Sequence, residues 1–375
     1  MCKIGSPLLS FLLCSLCTPL QNISDGEMEA MREKEARSVQ KLLHTLYITE
    51  PDTVLRRDGE ALVAVHANGR EDHIPLHLLD RIVCFSGASI SPAVIDACVK
   101  HDVGFSALSQ SGRFCFRLNG PTTGNVLLRK KQYTLPCENR LYLAKRMLHG
   151  KLEGQATVLG RFRRNHPSEL LRATEEAIRT IAEQLPMAVT NEGLRGLEGQ
   201  AARLYFDAFG RMILTEDKAF RFEGRNRRPP RDRCNAMLSF GYTLLAEICV
   251  QAVESVGLDP QVGFLHSERP GKPALALDLM EELRAQVADR HALRMINLRM
   301  VSSEMFETGR EDGVFLDARG RKCFLREWNR MWRQEVMVPE LGQRVARGLL
   351  PYLQAARLAR YLRGDESMYD LIRWE

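Results

Sequence analysis

The chain has 375 residues, 45% of them hydrophobic and 27% charged, with a formal net charge of +6. That length suits two domains of ordinary size, and the apolar content excludes disorder as a global state. The mild positive charge does not by itself establish a nucleic-acid partner, so the local clustering of arginine carries that question. Of ten cysteines, Cys14 and Cys17 make a C-x-x-C pair, but no second pair follows at zinc-ribbon spacing. Others, such as Cys84 and Cys249, lie inside apolar runs. They read as buried free thiols of a reducing, cytoplasmic compartment, not as a disulfide framework, and no membrane association is expected.

Residues 1–40 read as a leader, disordered or not native to the folded body. Pro7 to Leu20 is apolar and follows Lys3, as in an export signal. It is shorter than the roughly 20 residues a membrane-crossing helix needs, and a polar run from Glu27 to Arg37 follows. Met28 and Met31 are alternative starts.

Residues 41–119 are expected to form a small β-sandwich-like domain. Leu46–Thr49, Ala61–Val65, Arg81–Phe85, Val103–Leu108 and Phe114–Leu118 are rich in β-branched or aromatic residues and are separated by Asp-Gly, Asn-Gly and Ser-Gly turn signals. One helix interrupts them, with Ser91 as its cap, Pro92 in its first turn and an apolar face from Ala93 to Lys100. Residues 120–125, Gly-Pro-Thr-Thr-Gly-Asn, read as a hinge. Helical patterns dominate residues 126–375: Val126–Leu148, Pro167–Leu185, Glu192–Phe209, Cys234–Val256, Ala274–Asp289 and Lys322–Val336. A strand pair turning at Asp312-Gly313 is expected within Glu307–Asp317. The fold class is therefore α+β, a small β-domain followed by a larger, mostly α-helical domain.

Three features of the helical part bear chemistry. In the segment capped by Asn191, Leu194, Leu197, Ala201, Leu204 and Ala208 form a buried stripe with Glu198 beside it and small residues around it. Taken alone, this segment reads as a surface glutamate at the edge of an amphipathic helix. Downstream, Asp278, Glu281 and Glu282 stand at i, i+3 and i+4, along one side of a helix. His266 lies fifteen positions before Glu281, across a segment broken by Pro270, Gly271 and Pro273, so the chain can fold back and bring the imidazole to the carboxylates. Two carboxylates and one imidazole suit Mg²⁺ or Mn²⁺ with open positions for water and phosphate oxygens, although a satisfied histidine and an exposed acidic helix face fit the same residues. Third, Arg221, Arg225, Arg227, Arg228, Arg231 and Arg233 put six arginines in thirteen residues. Only Glu223 and Asp232 oppose them, which favours binding of a DNA backbone over a merely solvated loop. Arg129 to Lys131, Arg161, Arg163 and Arg164 extend the basic character.

Four motifs in order carry a resemblance: Leu194-Arg-Gly-Leu-Glu198-Gly-Gln-Ala-Ala202, the run from Pro230 to Leu245, Gly263-Phe-Leu-His266, and Leu277-Asp-Leu-Met-Glu-Glu-Leu-Arg284. Over residues 40–375 the chain resembles the CRISPR-associated protein-one family, the endonuclease/integrase of the adaptation module, and within it subtype I-C members. The resemblance implies that Glu198, His266 and Glu281 hold a catalytic divalent metal, with Asp278 or Glu282 supporting them. It also implies a homodimer that flanks a dimer of the CRISPR-associated protein-two family. The implied reaction is attack of the 3′-hydroxyl of a short double-stranded DNA fragment (a prespacer) on a phosphodiester at the CRISPR repeat. A plain metal-dependent nuclease and a non-catalytic DNA-binding scaffold are the alternatives. The residues before Gln40 fall outside the family pattern.

Overall fold

The computed structural model describes residues 45–50, 52–79, 81–85, 87–101, 103–109, 114–118, 126–227 and 229–374. The expected leader and the hinge at 120–125 lie outside these residues. The chain divides into two units. One comprises residues 1–124, 325–356 and 372–375, and the other residues 125–324 and 357–371. The division is not a single cut, because two later segments group with the amino-terminal unit.

That unit contains β1 (Thr45–Ile48), β2 (Val54–Asp58), β3 (Ala61–Val65), β4 (Glu71–Pro75), β5 (Arg81–Phe85), β6 (Ser89–Ile90), α1 (Pro92–Lys100), β7 (Gly104–Leu108) and β8 (Phe114–Leu118). They form two four-stranded sheets, ordered β1-β5-β7-β8 and β4-β3-β2-β6. In the first, β5 pairs in parallel with β1 and β7, while β7 and β8 are antiparallel. Every residue of β5 is buried, as suits a central parallel strand written as a continuous apolar run. Leu55 and Leu62 from one sheet, Ile82 and Phe105 from the other, and Val94 and Ala97 of α1 share one core, which gives the sandwich-like arrangement. Ser91 holds the N-cap position of α1, but its hydroxyl makes no capping hydrogen bond. Strands β2 and β4 carry no sequence signal of the expected kind. In β2 only Leu55 is buried, and β4 alternates between exposed and half-buried positions, as an edge strand with one wet face does. The later segments supply β11 (Glu335–Val338) and β12 (Gln343–Ala346), an antiparallel pair. Arg81 donates to the Tyr352 hydroxyl, and Ile372 N–H donates to Gln354 at 2.9 Å.

The second unit is helical. It contains α2 (Val126–Tyr133), α3 (Cys137–Asn165), α4 (Glu169–Gln184), α5 (Asn191–Phe209), α6 (Arg233–Ser255), α7 (Ala274–Arg284) and α8 (Arg290–Asn297), with a π-helical turn at Ala285–Asp289 joining the last two. Pro136 ends the expected Val126–Leu148 helix early and stands as the N-cap of α3, because proline removes an interior amide and disfavours helix in the residue before it. Thr190 caps α5 through Gly193 N–H at 3.1 Å, one residue before the expected Asn191. The strand pair is present as β9 (Phe306–Thr308) and β10 (Val314–Leu316). After it, α9 (Ala318–Trp332) and α10 (Leu350–Arg363) complete the helices.

Helices α3 and α6 both pack on α7, with α4 and α5 against α3. α6 is long and apolar enough to cross a membrane, yet 72% of its most apolar window is buried inside the unit, so it is a core helix. The chain after α10 is also packed down. Tyr369 is fully buried, and its backbone N–H donates to the Tyr142 hydroxyl at 3.0 Å.

Leu62 is fully enclosed between the sheets. Leu62→Ala is expected to cost about 2–5 kcal/mol in chemical denaturation, from lost transfer energy plus the cavity left behind. A cost under about 1 kcal/mol would contradict the shared core.

Candidate metal and phosphodiester site

The site begins with a carboxylate that is itself not exposed. Asp278, on the second turn of α7, is fully buried. Its Oδ2 accepts Phe264 N–H at 2.6 Å and Leu265 N–H at 2.9 Å, and its Oδ1 accepts His266 N–H at 2.9 Å. One carboxylate thus satisfies three consecutive amides of an irregular segment that would otherwise be orphaned. Arg140 on α3 donates to Gly263 O at 2.8 Å and lies over the Phe264 ring, closing the segment from the other side. Gly263 is required here for space. A Cβ would stand 2.7 Å from Asp278 Oδ2 and 2.8 Å from the Ala274 carbonyl carbon.

Asp278 Oδ1 also meets His266 Nδ1 at 2.7 Å. With Nδ1–H donating to that carboxylate, the lone pair resides on Nε2, and the ring is orientated as in a metal-ligating histidine. Nε2 stands 4.0 Å from Glu281 Oε1, one turn along α7 from Asp278. Glu281 is buried and engages three cations or potential cations. Arg284 donates at 2.8 Å, Lys151 Nζ is 3.0 Å from Oε2, and His266 faces Oε1. Burial pushes this carboxyl up, but the charges of Arg284, Lys151 and His266 outweigh burial and hold it at about 2. It is ionised throughout the physiological range.

Glu198 comes from α5, on the edge of the buried face made by Leu194, Ala201 and Tyr205. Its side chain is only 24% exposed and accepts Lys151 Nζ at 2.6 Å. Lys151 therefore bridges Glu198 and Glu281. Sequence reasoning missed this residue, although a signal existed. Lys151 continues the buried stripe of Ala144, Met147 and Leu148 on α3, and a charge at a core position requires a partner.

Glu282 behaves differently from its neighbour. It accepts the Tyr369 hydroxyl at 2.6 Å, and burial raises its carboxyl to about 8. Asp278 and Glu281 thus both meet the His266 ring, whereas Glu282 is engaged by Tyr369.

Among the described residues no three His, Cys, Asp or Glu side chains stand at mutual metal-binding distance. The donor set nevertheless fits a divalent cation. It has two carboxylates, of which Glu281 is ionised, and an imidazole with a fixed tautomer, and Glu281 Oε2 is buried without a hydrogen bond of acceptable geometry. The Lys151 ammonium occupies the electrostatic position between the carboxylates that such a cation would share.

The basic loop divides. Arg225 donates to Asn235 at 2.6 Å and to Ser239 at 3.1 Å and lies over the Tyr242 ring. Arg233 donates to Ser303 O and Ala219 O and lies over Phe306. Both are occupied inside the unit, contrary to the expectation of six arginines projecting toward DNA. Proximity to α6 and its polar positions decides this, which a count of charges does not register. Arg221, Arg227 and Arg231 are exposed, with Arg221 paired to Glu223 at 2.9 Å. Arg228 lies outside the described residues.

The family profile described as "CRISPR associated protein Cas1" matches residues 46–330. "CRISPR-associated endonuclease Cas1 2" of Rhodospirillum rubrum is 43% identical over 345 residues, covering 90% of this chain and all of that one. "CRISPR-associated endonuclease Cas1 1" of Chlorobaculum tepidum is 38% identical over 90% of this chain and the whole of its own length. Among solved structures, the fold is similar to a casposase bound to integration product, with a TM-score of 0.78, 24% identity, and coverage of 87% of this chain and 92% of that one. It is similar also to a Cas1 protein from Thermotoga maritima, with a TM-score of 0.74, 20% identity, and coverage of 86% and 97%.

Two measurements test this geometry. Asp278→Asn places an amide where only acceptors fit, and is expected to cost about 1–3 kcal/mol in urea unfolding and to weaken Mn²⁺ binding about 10- to 100-fold. Unchanged stability and affinity would sever Asp278 from the placement of His266. For Glu282, the folded carboxyl is raised above its unfolded value, so stability is fully present at acid pH and declines as pH rises toward about 8. In EDTA, Glu282→Gln is expected to remove about 2–4 kcal/mol of that dependence between pH 5 and 8, and an identical pH profile in both proteins counts against it.

Proposed function

The chain belongs to the Cas1 family of CRISPR-associated endonucleases, and from that premise we propose that it joins short DNA fragments into a CRISPR array, with Glu198, His266 and Glu281 holding a divalent cation, Mg²⁺ or Mn²⁺. It is an enzyme of phosphodiester chemistry. The observation that supports the site assignment most directly is the imidazole tied at Nδ1 to Asp278, with Nε2 directed to a buried, ionised Glu281.

When bound, the cation supplies Lewis-acid polarisation of the phosphodiester and lowers the pKa of an attacking hydroxyl. The protein's own residues do the rest. Asp278 fixes the tautomer and height of His266. Arg284 and Lys151 keep Glu281 ionised, and Arg284, over the Tyr242 ring, is itself held in place. Lys151 offsets the repulsion of Glu198 and Glu281. Among the described residues no side chain is assigned as a dedicated general base. The nucleophile is the 3′-hydroxyl of a short duplex, and the scissile bond lies in the repeat.

Exposed Arg221, Arg227 and Arg231 are the members of the loop proposed to contact DNA backbone. One structural neighbour is a Cas6-RT-Cas1–Cas2 complex, similar to this chain with a TM-score of 0.74 over 36% of its own length. In keeping with it, the proposed assembly is a homodimer flanking a Cas2 dimer on double-stranded DNA in the cytoplasm.

Strand transfer tests the proposal. The protein with its Cas2 partner is given a labelled duplex bearing free 3′-hydroxyls and a supercoiled plasmid carrying the repeat array, in Mn²⁺ or EDTA. Metal-dependent joining of label to plasmid is expected, reduced at least 1,000-fold in Glu198→Ala and His266→Ala while DNA binding persists. Nicking without joining would indicate a plain nuclease. Binding without either reaction would indicate a scaffold.

A further inference from the structure

The carboxyl-terminal end of α3 and the whole of α8 carry a second basic feature, separate from the loop. Arg161 and Arg164 of α3 and Arg290 and Arg294 of α8 line one cavity of about 490 Å³, with Val158 and Leu293 in its wall. Other arginines of the same region have acids. Arg163 pairs with Glu175, Arg172 with Glu176 and Arg179 with Glu153. The four cavity arginines make no ion pair or side-chain hydrogen bond among the described residues.

Arg290 is half-buried. Burial lowers its pKa, and the charges of Arg161 and Arg294 lower it further. Like charges converging on a partly desolvated cavity destabilise the fold unless an anion joins them. A single carboxylate can neutralise one guanidinium. A phosphate presents several acceptor oxygens to several bidentate forks at once, and guanidinium is the side chain that matches it. The buried Val158 and Leu293 lower the local dielectric and strengthen that attraction.

We propose that this arginine-lined cavity is a phosphate-binding site, distinct from the metal site, that takes one or two phosphate groups. Their source is either a DNA backbone or a free polyphosphate. From Lys151 to Arg161 is ten residues of continuous helix, hence about 15 Å along α3 at 1.5 Å per residue. A strand rising about 3.4 Å per nucleotide spans that distance in four or five nucleotides. The DNA source rests on the integrase reading, whereas the site itself does not.

The test uses the full chain, without divalent cation and in EDTA. Inorganic pyrophosphate is titrated calorimetrically and its effect on Tm is followed. Duplex DNA binding is measured against salt concentration. Arg164→Gln/Arg294→Gln alters two exposed residues, so its fold is expected to be intact, and Arg290→Gln is the half-buried counterpart. Wild type is expected to bind one pyrophosphate and gain Tm, with binding weakened at least tenfold in both variants. A salt slope for DNA that falls by about 0.9 per lost contact identifies backbone phosphate as the source. An unchanged slope with pyrophosphate binding lost identifies a free polyphosphate. Pyrophosphate affinity and salt slope both unchanged in the variants overturn the proposal, including the case where only assembly with an acidic protein surface is lost. Strand transfer is scored in parallel. Pyrophosphate binding without strand transfer keeps this site and removes the integrase reading, and the converse result removes the site alone.

Discussion

The site depends on one buried carboxylate. Asp278 accepts the amides of Phe264, Leu265 and His266 and the His266 ring, so the path of an irregular segment and the orientation of an imidazole are set by the same two oxygens. Irregular backbone inside a helical unit leaves amides without partners, and burying one such group unpaired costs about 1–3 kcal/mol. A negative charge on α7 resolves three at once. The glycine at position 263 follows from the same constraint, because the carboxylate comes close enough to leave no room for a Cβ.

Charge around Glu281 is balanced by side chains from other elements. Lys151 reaches it from α3 and His266 from the preceding segment, while Arg284 lies one turn further along α7. Adjacent Glu282 accepts the Tyr369 hydroxyl, and burial keeps it largely protonated near neutrality. Two neighbouring residues of the same type therefore differ in charge state. Only the ionised one can serve as a hard anionic ligand without first losing a proton. The same logic separates the arginines. Arg225 and Arg284 lie over the Tyr242 ring near Asp289, which accepts the Tyr242 hydroxyl at 2.5 Å. Arg161, Arg164, Arg290 and Arg294, which line the α3–α8 cavity, have no acidic partner among the described residues.

Much of the fold was legible where local chemistry is strong. The continuous apolar run of β5, the Asp312-Gly313 turn of the β9–β10 pair and, in α5, the buried Leu194, Ala201 and Ala208 are written in period and turn residues, whereas the expected Leu197 and Leu204 are only half-buried and Tyr205, Phe206 and Phe209 complete that face. β2 and β4 were not legible, because strands with one wet face and charged edges look like loop. The break at Pro136 was read through, since the apolar period continues on both sides of it. The grouping of residues 325–356 and 372–375 with the amino-terminal unit left no local trace, because it rests on contacts distant in sequence.

The sequence by itself determined which residue types are present and their order: a glutamate in a small-residue helix, a histidine after Gly-Phe-Leu, and three acids at helical spacing. It also determined the family, because four motifs in sequence constrain identity more tightly than any one does. Only the tertiary structure decided what each charge meets. It placed Lys151 between Glu198 and Glu281, tied Asp278 to the histidine segment, drew Glu282 to Tyr369 and enclosed Arg225. Spacing along a chain fixes the direction of a side chain relative to its own helix. The energy of a charge depends on burial and on partners brought from elsewhere, and those are properties of packing.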